Sequence, residues 1–227
     1  MSTATALALA RAPRREVLQN LDGSRTETDD IPIHAGTLGG VKGFNGPWAR
    51  IQGKSERELG TLVALCRDLF VENWDRIRFG PCIEGAVFEI SLKQKPKLFS
   101  ILDGYLTVEL PHAKDHFHLC LTETRGLGKN KTPAAQAKIR QCSRAAFVRT
   151  VGKDGCTPRS WGIRFWNGKS EQMVTVFLPN PHLSRALEHL KQPDWSRLDL
   201  WNGLRRKYLG EKTPQPIPQG AQAYDHG

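Results

Sequence analysis

No stretch of this chain reaches the roughly 18 consecutive apolar residues that a membrane-spanning helix requires, so no membrane partner is expected. The five cysteines, Cys66, Cys82, Cys120, Cys142 and Cys156, contain no Cys-x-x-Cys spacing, and an odd number cannot pair completely. Zinc-ribbon and thioredoxin-type redox motifs are thereby disfavoured, and reduced thiols in a cytoplasmic protein are expected. The glycines at 39–43 lack the spacing of a phosphate-binding loop. The apolar segment at 4–10 is short, has no positive residues before it and is followed by Arg11, Arg14 and Arg15, which is not the layout of a secretory signal. There is no internal repeat.

Acidic residues are nearly missing from one region. Between Arg125 and Lys169 stand eleven Lys or Arg and a single acid, Asp154, a segment that accounts for the whole formal charge of +10. Such a field attracts anions: nucleic acid, a carboxylate-bearing cofactor or an acidic partner. The rest is ordinary for a globular protein, with 39% hydrophobic and 25% charged residues in 227, enough for one well-filled domain and compatible with a homodimer.

Periodicity gives the element order. Residues 1–50 are rich in glycine and turn formers and read as a loose N-terminal arm, residues 51–210 as the domain and 211–227 as a disordered, proline-rich tail. Ser55-Glu56-Arg57-Glu58 is a capping box, and Leu59, Leu62, Val63, Cys66, Leu69 and Phe70 carry helical spacing to about residue 73. Three strand-like runs follow at 83–92, 97–102 and 105–110, the last two joined by Asp103-Gly104, a favoured two-residue turn. After a histidine-bearing strand, 133–151 reads as a basic helix. Residues 160–178 read as a hairpin around Asn167-Gly168, and 182–190 and 195–209 as helices. Helix, antiparallel strands, helix, hairpin and helix in that order make a single-domain α+β fold, with helices packed on an antiparallel sheet.

Three of the seven histidines, His112, His116 and His118, fall within seven positions. In a strand His116 and His118 project from one face, a chelating pair beside which His112 is a third candidate. The alternation points to a bound metal or haem. Haem asks for an imidazole on iron, cations on two carboxylates and aromatic contacts on the ring. His118, His116 or His112 is the candidate axial ligand. Arg140, Arg144, Arg149 and Arg164 are candidates for the carboxylates, and Phe117, Trp161 and Trp166 for the ring.

One stretch has a family likeness. Phe165-Trp166-Asn167-Gly168-Lys169-Ser170-Glu171-Gln172-Met173, then Phe177-Leu178, matches a hairpin pattern Phe-Phe-Asn-x-x-Gly-Glu-x-Met-x-x-x-Phe, with Ser170 where the pattern has glycine. Upstream, Ala145-Ala146-Phe147-Val148-Arg149 is similar to an Ala-x-x-Phe-Val-x-Arg helix end, and His118-Leu119 to a His-Leu pair. Over residues 84–190 the chain therefore resembles the bacterial cytosolic haem-utilisation proteins, a group of haem carriers and haem-degrading members. The resemblance implies haem as cofactor and His118 as the iron ligand.

Two other functions compete. His116-x-His118 followed by Glu123 resembles the first half of the cupin motif, and two imidazoles with a carboxylate would hold a single divalent metal such as iron for an enzyme. The basic segment 125–169 with its tryptophans is a candidate surface for single-stranded nucleic acid, although no helix-turn-helix, zinc-finger or RNA-recognition pattern is present.

Overall fold

The computed structural model describes residues 14–36, 46–47, 54–83, 86–110, 115–126, 129–153 and 158–216. The chain opens with strands β1 (Arg15–Gln19), β2 (Arg25–Asp30) and β3 (Gly46–Pro47), then helices α1 (Glu56–Leu59) and α2 (Thr61–Arg67). Strands β4 (Arg78–Gly80), β5 (Cys82–Ile83), β6 (Ala86–Val87), β7 (Ile90–Ser91), β8 (Phe99–Leu102), β9 (Tyr105–Glu109) and β10 (His116–Cys120) follow. Helix α3 (Ala134–Arg140), strands β11 (Cys142–Val151), β12 (Pro158–Asn167) and β13 (Gln172–Phe177), and helix α4 (Asp199–Leu209) complete the order.

These strands form a seven-stranded antiparallel sheet, β1-β2-β11-β12-β13-β4-β7, and a smaller one, β10-β9-β8-β3. Helices pack on the sheets as an α+β fold. Phe70 joins the sheets, its ring 4.9 Å from Phe79 on β4 and 5.7 Å from Phe117 on β10.

The Ser55 capping box forms, with Ser55 Oγ accepting from the Glu58 amide and the Glu58 carboxylate accepting from the Ser55 amide. The helix is then broken at Gly60, whose φ is +83°, because the backbone of residues 34–36 crosses there. A side chain at Gly60 would sit 2.5 Å from the Gly36 nitrogen. Asp103 and Gly104 turn the β8–β9 hairpin with φ of 48° and 81°, the left-handed pair that a tight hairpin demands. In the β12–β13 turn the left-handed residue is Ser170, φ 64°, where the resembling pattern has glycine. Gly168 serves another purpose, since its amide donates to the Ile139 carbonyl and an added Cβ would lie 2.0 Å from the Lys138 oxygen.

Four expectations are corrected. The arm is not loose from 15 to 30: β1 and β2 form a hairpin on the large sheet, with β2 paired to β11. β2 reads Arg-Thr-Glu-Thr-Asp-Asp, so it has no apolar signature, and its buried Thr26, Thr28 and Asp29 are held by polar partners. The basic helix ends at Arg140, and 142–151 is a central strand whose residues Ala145 to Val148 are all buried. An apolar run covered on both faces is strand-like, and pairing on both sides overrides alanine's helical preference. No helix forms at 182–190. Ser184 Oγ accepts from the Ala186 and Glu188 amides, and a bridge links Leu183 to His189. The run at 83–92 is broken into β5, β6 and β7. Of the tail, residues 211–216 lie along the domain with Glu211 paired to Arg205, and 217–227 fall outside the described residues.

Arg205 on α4 is the most deeply buried cation among the described residues, its side chain 2% exposed. It donates to Asp29 at 2.7 Å and to both oxygens of Glu211, and lies 5.4 Å from the Phe147 ring and 5.1 Å from that of Trp201. Burial pushes the Asp29 carboxyl up, but hydrogen bonds from Arg15 and Arg205 outweigh it and leave the group below its ordinary value. The folded state therefore holds fewer protons than the unfolded chain near that value. The contribution is complete above about pH 4 and is lost as pH falls through the depressed pKa. Arg205→Ala leaves Asp29 with Arg15 alone and should cost about 1.5–3 kcal/mol, read from the urea midpoint, and should flatten the acid limb of the stability profile. A midpoint within about 0.5 kcal/mol of wild type would show that this network does not hold α4 to the sheet.

Candidate functional site

Among the described residues β10 is an edge strand paired only with β9, in the register His116↔Glu109, His118↔Thr107 and Cys120↔Tyr105. Strand alternation turns Phe117 inward onto Phe70 and Phe79 and buries Leu119, while His116 and His118 stand exposed on the outer face. Their rings are stacked, centroids 5.9 Å apart and planes inclined by 22°. His118 Nδ1 lies 2.9 Å from Thr107 Oγ1, a bond that occupies Nδ1 and leaves Nε2 as the ring nitrogen for a ligand.

The neighbouring row is less polar. Cys120 is buried, and burial pushes its thiol up to about 11 against the opposing pull of Tyr105 and Arg140. Tyr105 is half-buried, and Leu102, its cross-strand partner on β8, is 58% exposed. Arg140, exposed at the end of α3, lies near enough to act on both Tyr105 and Cys120. The face thus collects an imidazole pair, an aromatic ring, an aliphatic side chain and a cation.

The other expected residues lie elsewhere. Arg144 bonds Asp30 at 2.7 Å and Glu16 at 2.9 Å, with its guanidinium 4.4 Å from the Trp166 ring. Arg149 is held by Glu27. Burial lowers the pKa of Arg164, which donates to Thr175 and lies 5.9 Å from Trp166. Trp161 is buried in the core. These groups belong to the large sheet, and the acids of the β1–β2 hairpin neutralise Arg144 and Arg149. Glu123 is exposed beyond the end of β10, and among the described residues no three His, Cys, Asp or Glu side chains are grouped to hold a metal ion. His112 lies outside the described residues.

A family model described as a family of unknown function (DUF7676) matches residues 54–210. The chain belongs to that family. The match runs from the capping-box helix through α4, so it takes in the histidine face and the β12–β13 hairpin and leaves β1 and β2 outside it. No curated protein and no solved structure matches the chain. Among the described residues no helix is long and apolar enough to cross a membrane, and the four described cysteines carry free thiols.

One grouping escaped the sequence reading. Arg76, Arg78 and Arg197 line a cavity of about 570 Å³ beside the β4–β7 edge. The signal was present in Arg76-Ile77-Arg78-Phe79, where buried Ile77 and Phe79 alternate with two outward arginines. Their third partner is more than a hundred residues away and is brought in only by the fold.

Burial also sets thiol reactivity. Cys142 is pushed up to about 12 and Cys66 well above the ordinary value, whereas Cys82 is half-exposed. Alkylation by iodoacetamide at pH 8, mapped by peptide mass spectrometry, should label Cys82 in the folded protein and reach Cys66, Cys120 and Cys142 only in denaturant. Early labelling of Cys120 would mean that the histidine face opens more readily than its packing implies.

Proposed function

We propose that this protein binds haem on the open face of the small sheet, with His118 Nε2 as axial ligand to the iron. The observation that carries the reading is the exposed His118, anchored through Nδ1 to Thr107 and flanked by His116, with no third ligand grouped beside them among the described residues. A resident bare metal ion ordinarily takes three or four protein ligands. Haem iron brings four nitrogens of its own and asks the protein for one. A lone anchored imidazole therefore suits haem better than a mononuclear site.

The surroundings agree in kind. Tyr105 and the exposed Leu102 offer ring contacts, and Arg140 offers a charge-assisted hydrogen bond to a propionate. The likeness of the β12–β13 hairpin and of His118-Leu119 to haem-utilisation proteins points the same way. Arg144, Arg149 and Arg164 are not assigned to the ligand, because carboxylates or burial already hold them. Haem supplies the iron chemistry; the chain supplies an oriented nitrogen, a cation and an accessible face.

Titration with haemin should produce a Soret band saturating at one equivalent. His118→Ala should abolish or shift that band, and His116→Ala should leave it in place. Arg140→Gln should weaken binding by roughly 10- to 100-fold, the loss of one hydrogen bond to a charged group. An unchanged spectrum in His118→Ala would remove the assignment.

A further inference from the structure

The cavity beside the β4–β7 edge is a different place from the histidine face: no described histidine lines it. It opens between the β4–β7 edge of the large sheet and the turn-rich segment after β13. About 570 Å³ is within the range that accepts a small metabolite. We infer that this cleft binds a small organic oxyanion, a carboxylate or phosphate monoester carried on an apolar group.

The charge of the cleft depends on which groups are already engaged. Asp199 is held by Arg76, Glu89 lies 3.9 Å from Arg78, and Asp194 accepts from the amide and hydroxyl of Ser196. Asp75, exposed, is the fourth acid of the lining, so five cations face four acids and the cleft keeps one net positive charge. The remaining cations are freer. Arg197 spends its Nε on the Asn180 carbonyl, a bond that fixes the guanidinium while leaving both terminal nitrogens for a ligand. Arg185 and Lys93 are exposed on the rim, and neither forms an ion pair with a described residue. A planar guanidinium held through one nitrogen is suited to a two-point grip on a carboxylate or phosphate.

The apolar half of the ligand is read from the opposite wall. Trp161, Leu178 and Pro179 line the cavity, and Trp161 is stiffened from behind by His182, stacked at 6.2 Å, and Trp195, edge-on at 6.5 Å. That cluster gives the wall rigidity. A second observation concerns the rim. Leu187 adopts a φ of 66° in the turn that Ser184 closes, and it lines the same cavity. A bulky residue forced into left-handed backbone is a strained arrangement that packed structure must maintain, and such residues concentrate at ligand sites.

Calorimetric titration at fixed ionic strength with phenyl phosphate, benzoate and neutral benzyl alcohol tests the inference. One of the two anions should bind, with quenching of tryptophan fluorescence, and benzyl alcohol should bind at least about tenfold more weakly; the stronger anion identifies the oxyanion type. Arg197→Gln should weaken that binding about tenfold or more, and Arg185→Ala several-fold, with unfolding midpoints unchanged for Arg185→Ala. Should Arg197→Gln fail to fold, Arg185→Ala and Lys93→Ala decide the matter, because both residues are exposed. The inference is overturned by absence of binding for both anions at millimolar concentration, by equal affinity for benzyl alcohol, or by binding indifferent to these substitutions. His118→Ala should leave anion binding intact, so this result and that of the haemin titration fail independently.

Discussion

A single buried guanidinium holds the outer elements of this fold together. Arg205 comes from α4, its carboxylate partners from β2 and from the segment after α4, and its aromatic neighbours from β11 and α4 itself. Three separate stretches of chain, β2, β11 and α4 with the residues after it, therefore meet at one cation. A charge in that position is tolerated only because hydrogen bonds and opposite charge offset the desolvation. The same rule operates at Asp68, buried at the end of α2, which accepts from Tyr208 and Lys207 on α4. Helix α4 is thus fixed by polar contacts in its C-terminal half and by buried Leu200, Trp201 and Leu204 before them.

With α4 fixed, the two sheets can be joined by a small aromatic contact. Phe70, Phe79 and Phe117 pack on one another, so turning Phe117 and Leu119 of β10 inward presents His116 and His118 to solvent, while Cys120 at the strand end is buried. Core formation and display of the histidines are consequences of the same alternation. A one-residue slip of β10 would bury both imidazoles and expose Phe117, a change that the hydrogen bond between Thr107 and His118 also opposes.

Electrostatics distribute the functions over the surface. Arg144 and Arg149 face the acids of β1 and β2, which lie more than a hundred residues earlier in the chain. Part of the positive field along the sequence is thereby an ion-pair array across neighbouring strands, while Arg125, Lys129, Lys131, Lys138, Arg140, Lys153 and Lys169 stay exposed. Exposed cations outside these pairs are spread over the surface, among them Arg140 near the histidine face and Arg185 and Lys93 around the cleft.

Local rules were legible where a few consecutive residues settle the geometry. The Ser55 capping box, the Asp103-Gly104 turn, the 195–209 helix and the alternation of Phe117 with the histidines follow from spacing alone, because caps, tight turns and pleats involve neighbours in sequence. Polar β2 was not legible, since its stability comes from distant arginines and not from an apolar period. The strand nature of 142–151 was hidden for a related reason: alanine is a good helix former until both edges are offered strand partners. Sequence by itself determined the α+β class, the turns and the pairing of His116 with His118. Only tertiary structure decided which cations stay free and which arginines share a cavity, because charge pairing and cavity formation depend on contacts between residues far apart in the chain.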